Sequence, residues 1–361
     1  MPLEFAARTR RIPVYPLAGG YDLGADVAML ASNESSFGPL PSVVEAASRA
    51  LGGANRYPDP SYVPLRRALA DRYGIPPGRI ALGNGSCDIL LAAGEALLEP
   101  GSEVVYAWPA FSVYPHLAAA SGARAIEVPL DSEDRHDLDA IATEITVATR
   151  LVMICNPNNP TSTALGLEEI DAFLRRVPSH VCVILDEAYC EFALTLGDTY
   201  ASLELLRKHP NLVLLRTFSK VYGLAGLRVG YALCGAEDFR VAVDQVRQPF
   251  YLNAAAQAAA VETLRHQDEV ERRVTETIGA RLEMVDGTRA LGLWVAESDA
   301  NFIWLHLPEE VEEADVVSGL KDRGVLVRAG ASLGRERSLR VTVGTPSENE
   351  RFVDALAHVL P

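Results

Sequence analysis

Short runs of Val, Ile and Leu recur along the chain, each followed by turn residues and then by apolar positions at helical spacing. The clearest runs are Arg79 to Leu82, Glu103 to Ala107, Leu151 to Cys155, Val181 to Leu185, Leu212 to Thr217 and Arg228 to Leu233. They lack polar alternation, which predicts strands covered by helices on both faces. Helices are predicted over Ser42 to Leu51, Tyr62 to Tyr73, Ser86 to Leu98, Leu167 to Val177 and Ala236 to Val246. Strands joined by helical crossovers make an α/β fold with a mostly parallel central sheet.

The pattern changes after Asn253, where one long helical stretch from Ala254 towards Arg289 carries alternating charges on its polar face. Strands are predicted beyond it at Asn301 to Leu305, Gly324 to Val327 and Leu339 to Val343, with helices at Glu312 to Arg323 and Ser347 to Leu360. The predicted organisation is an arm over 1–30 that packs on the small domain or a partner, and a large domain over 31–253. A connecting helix over 254–290 then leads to a small α+β domain over 291–361.

Composition narrows the classes of partner. The chain has 361 residues, 33 basic and 48 acidic, and a formal charge of -15, which disfavours nucleic acid and anionic lipid. No apolar run approaches the roughly 20 residues of a membrane helix, and Met1 to Arg11 lacks the apolar stretch of a secretory signal. A cytoplasmic protein is expected. The cysteines Cys87, Cys155, Cys182, Cys190 and Cys234 show no zinc or redox spacing, and the seven histidines are scattered without ligand spacing. No metal is expected, and neither a G-x-G-x-x-G turn nor a Walker-type loop occurs.

Three local features sit where predicted strands end, the place where open α/β sheets gather ligands. Asp186 begins Asp186-Glu187-Ala188-Tyr189 after the run Val181 to Leu185. The turn Asn156-Pro157-Asn158-Asn159-Pro160-Thr161 follows Leu151 to Cys155. Thr217-Phe218-Ser219-Lys220 follows the run from Leu212 and leads into a glycine-rich stretch that contains Arg228. Together they supply a carboxylate, an amide, a phenol, hydroxyls, a lysine and an arginine, the set that pyridoxal 5′-phosphate chemistry requires. The cofactor's aldehyde needs an amine for a Schiff base, its ring nitrogen a carboxylate, and its phosphate hydroxyls, an arginine and a helix N-terminus. Gly83-Asn84-Gly85-Ser86, opening a predicted helix, offers such a terminus.

At these residues the sequence resembles the fold-type I aminotransferases, and within them the histidinol-phosphate aminotransferase group. The most specific stretch is Arg216-Thr217-Phe218-Ser219-Lys220 with Gly223-Leu224-Ala225-Gly226-Leu227-Arg228. The resemblance implies a PLP-binding large domain, a smaller α+β domain and a homodimer with composite active sites. It makes Lys220 the Schiff-base lysine and proton carrier, Asp186 the partner of the ring nitrogen, and Asn159 and Tyr189 the partners of the phenolic oxygen. Phe111 would stack on the ring. Thr217, Ser219, Arg228 and the amides of Gly85, Ser86 and Cys87 would hold the phosphate, joined by Tyr57 from the neighbouring subunit. Arg340, Arg328, Tyr15 and Asn33 would contact substrate.

The sequence departs from that pattern at three positions. Cys87 stands where Asp is common, Ser162 replaces a frequent Gly, and Tyr251 follows Pro249-Phe250 where Asn is frequent, near the expected substrate mouth. The implied reaction moves an amino group between a small-molecule donor and a 2-oxo acid. Histidinol phosphate is the favoured donor, with phenylalanine and other aromatic amino acids the alternative. A lyase or decarboxylase on the same scaffold, or a non-catalytic cofactor-binding sensor, are the readings from other classes.

Overall fold

A computed structural model describes residues 3–12 and 26–361. Seven strands form the central sheet, in the order Ile80–Gly83, Gly230–Cys234, Leu212–Thr217, Cys182–Asp186, Thr149–Cys155, Glu103–Trp108 and Arg124–Pro129. The pairs are parallel except those of Gly230–Cys234, which runs antiparallel to both neighbours. The central strands are buried along nearly their whole length, with only Cys182 half-buried, as their continuous apolar sequence requires. Alternate side chains feed two apolar cores, one on each face: Val183 and Leu185 join one, Ile184 the other.

The small domain has its own core, built by Ile303, Leu305, Leu339 and Val341 beneath the helices Glu313–Asp322 and Pro346–Val359. Its sheet pairs Phe302–His306 with Ser338–Thr342, which is flanked in turn by Arg328–Ala329. Residues 28–30 pack on this domain as well: Ala28–Met29 pairs in parallel with Val325–Leu326 as a separate two-stranded sheet, and Leu30 accepts from the Thr342 amide at 2.8 Å.

Four details differ from the sequence reading. The single connecting helix is two, Ala254–Thr263 and Gln267–Ala290, interrupted at residues 264–266. The first packs an alanine face on Pro41–Leu51 and belongs to the large-domain core, while Met284 and Val285 of the second enter the small-domain core. The run Gly324 to Val327 yields the short strand Val325–Leu326, and Arg328–Ala329 beyond it pairs in a different sheet. The edge strand Arg124–Pro129 escapes the pattern because most of its side chains face solvent. Among the described residues no helix is long and apolar enough to cross a membrane, and no cluster of His, Cys, Asp or Glu is placed to hold a metal.

Candidate active site

Adjacent parallel strands end together, and the turns beyond them converge. Asp186 is the last residue of its strand, Thr217 the last of the next, and Asn156 follows Cys155 on the other side. Asn156 clamps its own turn: its side chain accepts from the Leu165 amide at 2.7 Å and donates to the Leu165 carbonyl at 3.1 Å. Beneath lies a buried ion pair, Arg216 Nε donating to Glu187 Oε2 at 2.8 Å. These contacts fix the backbone on which the polar side chains stand.

The convergence encloses a cavity of about 410 Å³. It is lined by Asn33, Ser86, Cys87, Phe111, Asn159, Asp186, Tyr189, Thr217, Ser219, Lys220, Arg228, Arg328 and Arg340. Lys220 Nζ donates to the carbonyls of Asn33 at 2.9 Å and Ser32 at 3.4 Å. Burial lowers its pKa to about 8, helped by the positive charges of Arg340 and Arg228, so the amine gives up its proton far more readily than an ordinary lysine, with roughly a tenth neutral at pH 7. Burial pushes Asp186 up to about 6, against the opposing hydrogen bonds of the Ala188 amide and Tyr114. Tyr114 Oη donates to Asp186 Oδ2 at 3.1 Å. A cation against that carboxylate would offset the desolvation.

Tyr189 Oη accepts from Asn33 Nδ2 at 3.2 Å and Asn159 Nδ2 at 3.4 Å. Asn159 Oδ1 in turn accepts from Arg340 Nη1 at 2.7 Å. Asn33, Ser162 and Arg228 all adopt left-handed φ, at 53°, 62° and 58°. Non-glycine residues in that region carry strain that concentrates at ligand sites. At Ser162 it explains why glycine is frequent there. The serine is held by its amide on the Asn158 carbonyl at 2.7 Å and its hydroxyl on the Thr161 carbonyl at 2.6 Å.

Of the residues singled out in the sequence, Gly85 caps the helix Ser86–Leu97 with φ 85°. A Cβ there would lie 2.3 Å from Arg228 Nη2, so the bare backbone lets the guanidinium reach the helix N-terminus. Tyr57 is 81% exposed and stacks on Phe250 at 4.5 Å, outside the lining of this chain's cavity. Tyr251 also stays out of the lining and packs on Tyr62 and beneath Arg247, so the position expected near the substrate mouth does not line this chain's cavity. Tyr15 lies outside the described residues. Tyr114 and Leu333 were not anticipated; a tyrosine in a short helix and a leucine in a loop carry no local signal.

The donor set matches pyridoxal phosphate group by group: an amine of lowered pKa, a buried carboxylate, a phenol with two amides, and hydroxyls with an arginine at a helix N-terminus. The fold and this site together define a fold-type I enzyme dependent on pyridoxal phosphate. The family model of the class I and II aminotransferases matches residues 25–356, and the chain belongs to that family. An aromatic amino acid aminotransferase of Thermobifida fusca is 45% identical over 90% of this chain and 88% of its own. One from Streptomyces coelicolor is 43% identical over the same shares. The crystal structure of histidinol-phosphate aminotransferase from Sinorhizobium meliloti in complex with pyridoxal 5′-phosphate superposes with a TM-score of 0.81. It is 31% identical and covers 92% of this chain and 90% of that one.

Proposed function

We propose that this aminotransferase takes aromatic amino acids as donors and passes the amino group to a 2-oxo acid. The observation that carries the reading is the apolar side of the cavity, where Ala110, Phe111 and Leu333 stand in the same lining as Arg340. A planar aromatic side chain suits that wall, and a carboxylate suits the guanidinium. The names of the relatives support it and favour this donor over histidinol phosphate, the first expectation from sequence. Histidinol phosphate is kept as the second reading because Arg328 and Arg340 pair across neighbouring strands and offer two guanidinium groups to a phosphate.

Pyridoxal phosphate supplies an aldehyde that captures the amine and a ring that draws electrons from the bond to be broken. Lys220 Nζ would bond the aldehyde and later carry the proton released from the donor's Cα. Asp186 would keep the ring nitrogen protonated. Asn159 and Tyr189 would hold the phenolic oxygen, and Phe111 would pack on the ring. Thr217, Ser219, Arg228 and the amides of Gly85, Ser86 and Cys87 would hold the phosphate. Arg340 would bind the donor's anionic group, with Arg328 and Asn33 beside it. Tyr57, turned away from its own cavity, would complete the partner's site in a cytoplasmic homodimer.

Single-turnover reactions of purified holoenzyme with phenylalanine, tyrosine and histidinol phosphate, followed by the cofactor's visible absorption, test the substrate. Rapid bleaching by the aromatic donors is expected. Bleaching by histidinol phosphate alone would overturn the reading.

A further inference from the structure

Outside the set already described, a buried carboxylate joins the two domains. Asp134 lies in the large domain, is 1% exposed and adopts a left-handed φ of 59°. Its Oδ2 accepts from Trp304 Nε1 at 3.0 Å and lies 2.8 Å from His306 Nε2. Its Oδ1 accepts from Arg335 Nη1. All three partners belong to the small domain.

Strand alternation shows what they position. Ile303 and Leu305 point into the small-domain core, leaving Phe302, Trp304 and His306 on the opposite face. Trp304 stands directly across from Arg340 in the antiparallel register, and Arg340 lies over the Phe302 ring. Arg335 ends the loop that carries Leu333, and Leu333 packs with Trp304 and lines the cavity. At Gly334 a Cβ would meet the Trp108 ring at 2.7 Å, so this loop lies flush on the large domain.

The main chain of Asp134 reaches the other wall. Its carbonyl accepts from Thr163 Oγ1 at 2.8 Å, and Thr163 and Thr161 share a hydrogen bond at 2.9 Å. Thr161 Oγ1 accepts from Asn158 Nδ2 at 2.8 Å, and the next residue is Asn159, the acceptor for Arg340. One residue thus braces both sides of the donor pocket.

We propose that Asp134 is a positioning residue for donor binding: its carboxylate sets the Arg340 strand and the Leu333 loop, while its carbonyl braces the turn bearing Asn159. Lys220 and Asp186 stand on other elements, so the effect falls on binding more than on the chemical step. The proposal rests on the donor reading above only for which donor is used to see it.

The test is the single-turnover half-reaction of holoenzyme with phenylalanine and with histidinol phosphate. Asp134→Ala should raise the half-saturating concentration of the preferred donor about tenfold or more, with the limiting rate within about threefold of wild type. Asp134→Asn, which keeps an acceptor for Trp304, should give a smaller rise. Arg335→Met, at a partly solvated side chain, should shift in the same direction. Unchanged half-saturation in the alanine variant, or a loss of limiting rate as large as the shift, would overturn the proposal. If the alanine variant does not fold, the other two decide by the same criterion. A wild-type protein that uses histidinol phosphate and ignores phenylalanine sinks the substrate reading alone, and the role of Asp134 is then judged with histidinol phosphate.

Discussion

On the large-domain side of the cavity, Asp186 and Thr217 end neighbouring buried strands and Lys220 follows three residues on. On the small-domain side, Arg328 and Arg340 lie within short strands, and Leu333 sits in a loop closed against Trp108. The first group is fixed by a sheet with apolar cores on both faces. The second hangs on one core and on contacts across the domain border, those of Asp134 above all. On the roles proposed above, bond-making falls to the central sheet and donor recognition to the smaller one, so lesions on the two sides should read out differently.

The largest effect should come from Lys220→Ala. On the proposed roles it removes both the covalent anchor and the proton carrier, and turnover should fall by about 10⁴-fold or more. The variant should fold, since the amine contacts two carbonyls rather than the core. Gel filtration followed by visible spectroscopy should show loss of bound cofactor, and near-normal turnover would break the comparison at its first side. Asp186→Ala comes next, with the limiting rate down about 100- to 1,000-fold and half-saturation by the donor little changed. A variant that altered half-saturation alone would place the carboxylate on the wrong side of the division.

The same division governs what is legible in the sequence. Asp186, Asn159 and Lys220 announce themselves because each follows a continuous apolar run, and such a run has one structural solution in an α/β chain. The edge strand Arg124–Pro129 does not, since its exposed side chains leave no apolar periodicity. The break between Thr263 and Gln267 has neither Gly nor Pro to mark it. Contacts such as Tyr114 to Asp186 and Trp304 to Asp134 join residues 72 and 170 positions apart. They are properties of the assembled layers, and no local pattern encodes them. The positive φ at Asn33 and Arg228 is equally silent, because asparagine and arginine adopt ordinary conformations in most settings.

Between the two sides stands His136, buried next to Asn158 behind the turn that carries Asn159. Burial lowers its pKa from 6.5 to about 4, partly opposed by Asn158 and Asp131. The unfolded chain therefore takes up a proton below about 6.5 that the folded protein resists until about 4. Stability is therefore unaffected above that window and falls as the pH drops through it, by up to about 3 kcal/mol. Denaturant titrations at pH 7 and pH 5 should show the loss in the wild type and a smaller one in His136→Leu. An equal loss in both would assign the acid sensitivity to other groups.

The smallest effect expected is that of Tyr114→Phe, and it tests how the sheet side tunes its carboxylate. The phenol donates to Asp186 Oδ2 and holds that pKa down against burial. Without it the carboxyl should titrate above about 6, so the fraction charged drops most near pH 6 and little at pH 8. A single hydrogen bond to a charged group is worth about 1.5 kcal/mol at the low end of the usual range, which sets the scale of the change at roughly tenfold. Pyridoxamine 5′-phosphate, which forms no bond with Lys220, is the suitable probe because its affinity reads the ring and phosphate contacts alone. The variant should bind it several-fold more weakly at pH 6 and nearly as well as wild type at pH 8. Equal weakening at both values would mean that Tyr114 acts by shape, packing edge-on against Phe111, and not by charging Asp186.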